Sequence, residues 1–171
     1  MEVLVGVLSD THDNLNNVEK AIEILKRKKI DAIVHAGDII APFTLKRFSK
    51  LKAKFYGVFG NNDGEVFLLL KTASSLGFNL KSQPLELELD GKKIMVFHGM
   101  GGMEETKRFA RAIAKDGYYD IVIFGHIHEV VVEKLGKTLL LNPGEVFGGL
   151  SGKATLAILD LETLEVEVIE L

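Results

Sequence analysis

The sequence predicts a mixed α/β domain in which two β-sheets pack together with helices on the outside. Three observations predict it. The first half alternates apolar runs with amphipathic stretches in the order βαβαβα, the pattern of parallel strands joined by crossover helices. The second half opens on two strand-like runs joined at Asp90-Gly91, a strong hairpin signal. After one further helix it closes on runs that read as antiparallel meanders. No repeat, low-complexity tract or long linker interrupts residues 1–171, so one domain is expected.

Each element has its own justification. "EVLVGVL" (2–8) is a buried-strand run. "LNNVEKAIEILKRK" (15–28) places Leu15, Val18, Ile22 and Leu25 on one helical face, with Asn14 as the candidate N-cap. "DAIVHA" (31–36) is a second strand, and "APFTLKRFSKL" (41–51) a second helix with Pro42 near its first turn. "AKFYGVF" (53–59) is a third strand, and "GEVFLLLKTASSLG" (64–77) a third helix ending near Gly77. "PLELELDGKKIMVFH" (84–98) supplies the hairpin. "GGMEETKRFARAIAKDG" (101–117) is a fourth helix, expected to bury Met103, Phe109, Ala110 and Ile113. "DIVIF" (120–124) is a strand, and residues 129–142 and 153–171 read as the closing meanders.

Composition removes several function classes. The net charge of −3 gives no global basic field for a nucleic-acid polymer and no polybasic run for an anionic membrane. With no cysteine, disulfides and thiolate metal sites are excluded. The first ten residues lack a charged leader region and reach Asp10 too soon for a signal peptide, and no apolar run approaches the roughly 18 residues of a membrane span. A soluble, cytoplasmic protein is the expectation. Lysine far outnumbers arginine and Gln83 is the sole glutamine, a lean toward a heat-adapted source.

The polar residues that end the apolar runs carry the chemistry. "VLVGVL" is followed by Ser9, Asp10, Thr11 and His12; "AIVHA" by Gly37 and Asp38; "FYGVF" by Gly60, Asn61, Asn62 and Asp63; "IMVF" by His98 and Gly99; "IVIF" by Gly125, His126, Ile127 and His128. In open α/β sheets, ligands bind outside the carboxyl ends of the strands. Any one of these tips alone is an ordinary turn or helix cap. Five together form a set of oxygen and nitrogen donors suited to borderline divalent ions such as Mn, Fe, Ni, Co or Zn. Seven or eight donors exceed one tetrahedral ion and fit two ions bridged by a shared carboxylate, a device known for phosphoryl transfer.

With these motifs the chain resembles the calcineurin-like metallophosphoesterases, and in particular the small single-domain YfcE-type phosphodiesterases. The segments "SDTHDN", "HAGD", "GNND", "FHG", "GHIH" and "NPGE" carry the resemblance along the whole chain. It implies a four-layer αββα sandwich with a dinuclear site at the strand tips. It also implies that Asp10, His12, Asp38 and His128 hold one metal, and that Asp38 bridges to a second metal held with Asn61, His98 and His126. Two divalent transition ions are implied, manganese first, with Ni, Fe, Co or Zn as alternatives. A metal-bound hydroxide would attack a small phosphodiester substrate, and no covalent enzyme intermediate is needed.

One position departs from the pattern. Many relatives carry a histidine where this chain has Asn62, read there as the acid that protonates the leaving group. An amide cannot act as that acid, though it can hydrogen-bond a phosphate oxygen. Asn62, Asp38 and His98 are therefore the candidate catalytic residues, with good leaving groups preferred. Asp63 either supports the metal ligands from behind or caps the third helix, and Glu145 sits in a loop with site or substrate contact open. His35 reads as core or as support behind the ligands, Asp13 and Asn14 as helix caps, and Lys107, Arg108 and Arg111 as a solvated helix face. Without a cap domain, the site should be shallow. The alternatives are a phosphomonoesterase or a non-catalytic scaffold like the retromer subunit of similar fold. Against the scaffold, every implied ligand position holds a competent ligand. A homo-oligomer is left open.

Overall fold

In the computed structural model, which describes residues 3–171, eleven strands form two mixed sheets flanked by four α-helices. The first residue of the expected opening strand, Glu2, lies outside the described residues. The six-stranded sheet contains β1 (Leu4–Leu8), β2 (Ala32–His35), β3 (Lys54–Val58), β4 (Asn79–Lys81), β10 (Thr155–Asp160) and β11 (Val166–Glu170). Its order is β11-β10-β1-β2-β3-β4, with β1 to β4 parallel, β10 antiparallel beside β1, and β11 antiparallel to β10 at the edge. The five-stranded sheet contains β5 (Leu85–Leu89), β6 (Lys92–Phe97), β7 (Ile121–Phe124), β8 (Val130–Leu135) and β9 (Thr138–Pro143), in the order β5-β6-β7-β9-β8.

The period of two along each strand builds the layers. Val5 and Val7 of β1, Ala32 and Val34 of β2 and Leu159 of β10 face Ile94, Val96, Ile121, Ile123 and Leu141 of the other sheet, making the central core. The alternate residues Leu8, Ile33, Phe55 and Leu156 face α1 (Leu15–Lys28), α2 (Pro42–Arg47) and α3 (Val66–Leu76). Met95, Phe97, Val122, Phe124 and Leu140 face α4 (Met103–Asp116). The result is the four-layer αββα sandwich. No helix among the described residues is long and apolar enough to cross a membrane.

Local signals placed most ends correctly. Asn14 caps α1 by accepting from the Asn17 N–H at 3.2 Å, and Gly77 ends α3 in the left-handed region. The two closing runs are antiparallel hairpins as expected, β8 with β9 and β10 with β11. The second half is not antiparallel throughout, however: β6, β7 and β9 run parallel, and the β10–β11 hairpin joins the other sheet beside β1. The strand β4 was not expected, because its three residues carry too little pattern to register. In α4 the buried residues are Thr106, Ala110 and Ala114, while Met103 and Phe109 are exposed and Ile113 is half-buried. Small residues let the helix axis approach the sheet closely and push the large side chains to its flanks.

Candidate metal centre

The parallel strands β1, β2, β3, β6 and β7 all end at the same edge of the sandwich, and the loops that follow them converge there. Asp10 and His12 come from the loop after β1, Asp38 from that after β2, Asn61 and Asn62 from that after β3, His98 from that after β6, and His126 and His128 from that after β7. Asp10, Asp38 and His98 are almost wholly buried, whereas Asn61 and Asn62 are exposed at the rim. Backbone geometry is unusual here. Asp10, His12, Asp38, His126 and His128 all have positive φ, between 40° and 69°. Non-glycine residues held there cost about 1–3 kcal/mol each, a strain that clusters at functional sites. Cross-loop bonds sustain it, among them Asp10 N–H to Gly37 C=O at 2.9 Å and His12 N–H to Asp38 C=O at 3.1 Å.

Two triads of donors form around the carboxylates. Asp10, His12 and His128 make one, and Asp10, Asp38 and His98 the other. His12 Nε2 lies 3.4 Å from Asp38 Oδ2, and His128 Nε2 lies 3.4 Å from Asp10 Oδ1. His98 Nε2 lies 3.4 Å from Asp38 Oδ2 and 2.9 Å from Asn61 Oδ1. His126 falls outside both triads. Its Nε2 faces the Gly101 carbonyl at 3.0 Å, and its ring meets that of His98 edge-on at 5.1 Å. The intervening Ile127 is fully buried against the α4 side of the sheet.

The supporting bonds fix which ring nitrogen points inward. His98 Nδ1 is 2.7 Å from the Ala36 carbonyl, and His128 Nδ1 is 2.7 Å from Glu145 Oε2. Both partners only accept, so each Nδ1 carries the proton and each Nε2 of a neutral ring presents a lone pair. Those lone pairs aim at carboxylate and amide oxygens, which are also acceptors. Acceptors gathered on acceptors call for positive charge between them, which a metal ion or a proton on imidazole can supply. Consistently, Asp10 Oδ1 and His12 Nε2 are buried without a hydrogen-bond partner. The donor set is all nitrogen and oxygen, as borderline divalent ions prefer. These residues fit metal ions.

Electrostatics tell the same story. Burial pushes the Asp38 carboxyl upward, but His98 and the Asn62 bonds hold it far below the ordinary range. Burial likewise opposes ionisation of Asp10, and His12, His98, His128 and Ser9 outweigh it, leaving its pKa lowered. His12 is raised, first by its contact with Asp10. For His98 burial lowers the pKa, yet Asp38 and Asp10 leave it raised. Without ions, protons on imidazole supply the positive charge that the two carboxylates demand.

Residues behind the ligands hold them in place. Asp63 accepts from the N–H groups of Asp38, Ile40 and Gly60 at 2.7–2.9 Å, tying the second and third loops together. It does not cap α3, whose N-cap is Glu65 without a side-chain bond. Asp13 accepts from Ala41 N–H and the Thr44 hydroxyl, bracing the start of α2 instead of capping α1. Glu145 is fully buried, so it cannot touch substrate; it binds His128 and also the Leu150 and Ser151 N–H groups and the Ser151 hydroxyl. His35 is buried between Phe48 and Phe55; its Nδ1 accepts from Gly37 N–H at 3.2 Å, so its Nε2 donates to Thr11 Oγ1 at 3.3 Å. Lys107 and Arg111 pair with Glu129 and Glu133 on the surface. Sequence reasoning missed Gln83, whose Oε1 accepts from His98 N–H at 2.7 Å and Gly99 N–H at 3.1 Å. No local pattern around Gln83 signals this. Gly60 is required for close approach, because a Cβ there would lie 2.1 Å from Asp38 Oδ1.

Comparison with known proteins agrees with this geometry. Residues 3–164 match the calcineurin-like phosphoesterase superfamily domain. The chain is 37% identical over 162 residues to phosphodiesterase MJ0936 of Methanocaldococcus jannaschii, covering 94% of this chain and 95% of that protein. It is 25% identical over 173 residues to phosphodiesterase YfcE of Escherichia coli, covering 92% and 88% of the two chains. A solved archaeal phosphodiesterase superposes with a TM-score of 0.90 at 36% identity, covering 99% of this chain and 100% of its own. Vps29 of Entamoeba histolytica shares the fold, with a TM-score of 0.71 at 20% identity over 99% of this chain and 98% of its own.

Proposed function

The chain belongs to the calcineurin-like phosphoesterase superfamily and is a metal-dependent phosphoesterase, and on that premise we propose that it hydrolyses small phosphodiesters at a centre of two divalent transition ions. The observation that carries this reading is the gathering of acceptors on acceptors around Asp10 and Asp38, with Asp10 Oδ1 and His12 Nε2 buried without a hydrogen-bond partner. Asp10, His12, Asp38 and His128 would hold one ion, and Asp38, Asn61, His98 and His126 the other. Manganese is the ion we assign, and nickel, iron, cobalt and zinc suit the same donors. Bound there, the ions would neutralise phosphate charge and make a water acidic enough to attack near neutral pH.

The chain's own residues set the geometry. Asp38 is held from both sides, its Oδ1 by the Asn62 N–H at 2.9 Å and its Oδ2 by the Asn62 amide at 2.8 Å. Asn62 is exposed, so its amide stands at the rim where a phosphate oxygen would arrive. It can orient that oxygen but cannot deliver a proton to the departing alcohol. Glu145 acts through His128, keeping its Nε2 lone pair aimed at the centre. Asp63 acts through the Asp38 backbone in the same sense.

The test is hydrolysis of an aryl phosphodiester after chelation, with Mn²⁺, Ni²⁺ or Mg²⁺ added back and the matching monoester run in parallel. Diester turnover restored by a transition ion is the expected result. Preference for the monoester would overturn the substrate class, and no turnover by folded protein with any ion would overturn the enzyme reading.

A further inference from the structure

Beside the proposed metal centre lies a cleft of about 260 Å³, opening between α4 and the end of β6. We propose that it is a subsite for an apolar ester group of the substrate, the arm of the diester that does not leave; this rests on the phosphodiesterase reading above.

Position is the first argument. Gly99 and Met100 line the cleft, and they follow His98 directly. The opposite side of the same loop touches the site. A Cβ added at Gly99 would lie 2.7 Å from His126 Cβ, and His126 Nε2 meets the Gly101 carbonyl at 3.0 Å. The wall between cleft and centre is thus a single loop, residues 98–101. A tetrahedral phosphate at the centre carries two ester arms, and one of them can pass over Met100 into the cleft.

Chemistry is the second argument. The one polar side chain in the lining is Gln83, and it is spent on the loop. Its Oε1 accepts from the His98 and Gly99 N–H groups, and its Nε2 donates to the Gly99 carbonyl at 3.0 Å. What remains facing the space is Phe97 and Phe109, packed edge-on at 5.4 Å, with Pro84, Ile113 and the two methionines Met95 and Met100. Such a surface recognises hydrocarbon and rejects a sugar or base, whose polar groups would go unpaired. A cavity of about 150 Å³ accepts benzene, so this one has room for a phenyl group and its linking carbon.

Exposure is the third argument. Met100 is 50% and Phe109 38% exposed, although both are large and apolar. Methionine at the rim of a hydrophobic cleft is a flexible, polarizable contact for ligands of variable shape.

The experiment uses three diesters that share a p-nitrophenolate leaving group and differ in the other arm: methyl, benzyl or 5′-thymidyl. With the Mn²⁺-loaded protein, kcat/KM for the benzyl ester is expected to exceed that of the methyl ester by about tenfold or more, carried mainly by KM. The thymidyl ester should show no such gain. In Phe109→Ala and in Ile113→Ala the benzyl-to-methyl ratio should fall by about fivefold. A wild-type ratio near one, with both esters turned over, overturns the subsite and leaves the phosphodiesterase reading intact. A thymidyl arm matching the benzyl arm, or a ratio untouched in both folded variants, also overturns it. Hydrolysis of none of the three would overturn the functional reading itself. The wild-type ratio decides even if one variant fails to fold.

Discussion

Glu145 and His128 form a buried pair, with Oε2 and Nδ1 at 2.7 Å. Burial pushes the Glu145 carboxyl upward, but its bonds to Ser151 and His128 leave the pKa lowered, so the group is an anion that only accepts. It accepts from the imidazole on one side and from residues 150 and 151 on the other. Glutamine offers one acceptor oxygen and cannot serve both. Glu145→Gln is expected to weaken metal affinity by about 10–100-fold and to cost about 1–3 kcal/mol of stability. Calorimetric titration of Mn²⁺ into chelated protein checks it; wild-type affinity would show that His128 needs no such support.

Gly60 gives a steric version of the same test. The Asp38 carboxylate and backbone N–H occupy the space where a side chain would project, 2.1 Å and 2.6 Å from an ideal Cβ. Gly60→Ala should displace Asp38 and lower metal affinity by at least about tenfold, while the stability of the chelated protein falls by about 1–3 kcal/mol. Retained affinity with reduced stability would mean that Asp38 tolerates displacement.

Asn62 sets the leaving-group dependence. General-acid assistance contributes about 10²–10⁴-fold to esters whose alcohol leaves poorly. The native chain is therefore expected to favour aryl over alkyl diesters strongly. Asn62→His should raise alkyl-ester turnover by at least about tenfold and change the aryl rate much less. Equal aryl and alkyl rates in the native enzyme would sink the argument.

The pH dependence of stability has an identifiable contributor in His35. Burial pulls its pKa from 6.5 down to about 4. Between these values the unfolded chain binds a proton that the folded chain refuses. The His35 contribution is therefore complete above pH 6.5, declines as pH falls toward 4, and totals about 3 kcal/mol. In chelated protein, the His35 ring should remain neutral by NMR at pH 5. An inflection near pH 6.5 would overturn this.

The donors were legible because they follow strands. Asp10, Asp38, Asn61, His98 and His126 each come within three residues of the end of a strand-like run, and strands of like direction must deliver their tips to one edge. The helices α1 and α3 were legible from periodicity and caps. Braces such as Asp13 and Gln83 were not, since each bonds backbone groups of a distant loop and leaves no periodic trace. For Asp63 the sequence left brace and helix cap open, and only the tertiary bonds decide for the brace. Large apolar residues in α4 misled in the other direction. Met103 and Phe109 fit a buried stripe by spacing, but Ala110 and Ala114 form the contact face.

By itself the sequence determined the strand and helix alternation, the nitrogen and oxygen donor set, and the strand tips that carry it, because these depend on side-chain period and chemistry along a few residues. Tertiary structure alone decided that β10 returns to lie beside β1, that β6, β7 and β9 run parallel, and that Glu145 reaches His128 across 17 residues. Those outcomes depend on which apolar faces find each other across the whole chain, and local pattern does not encode the partner.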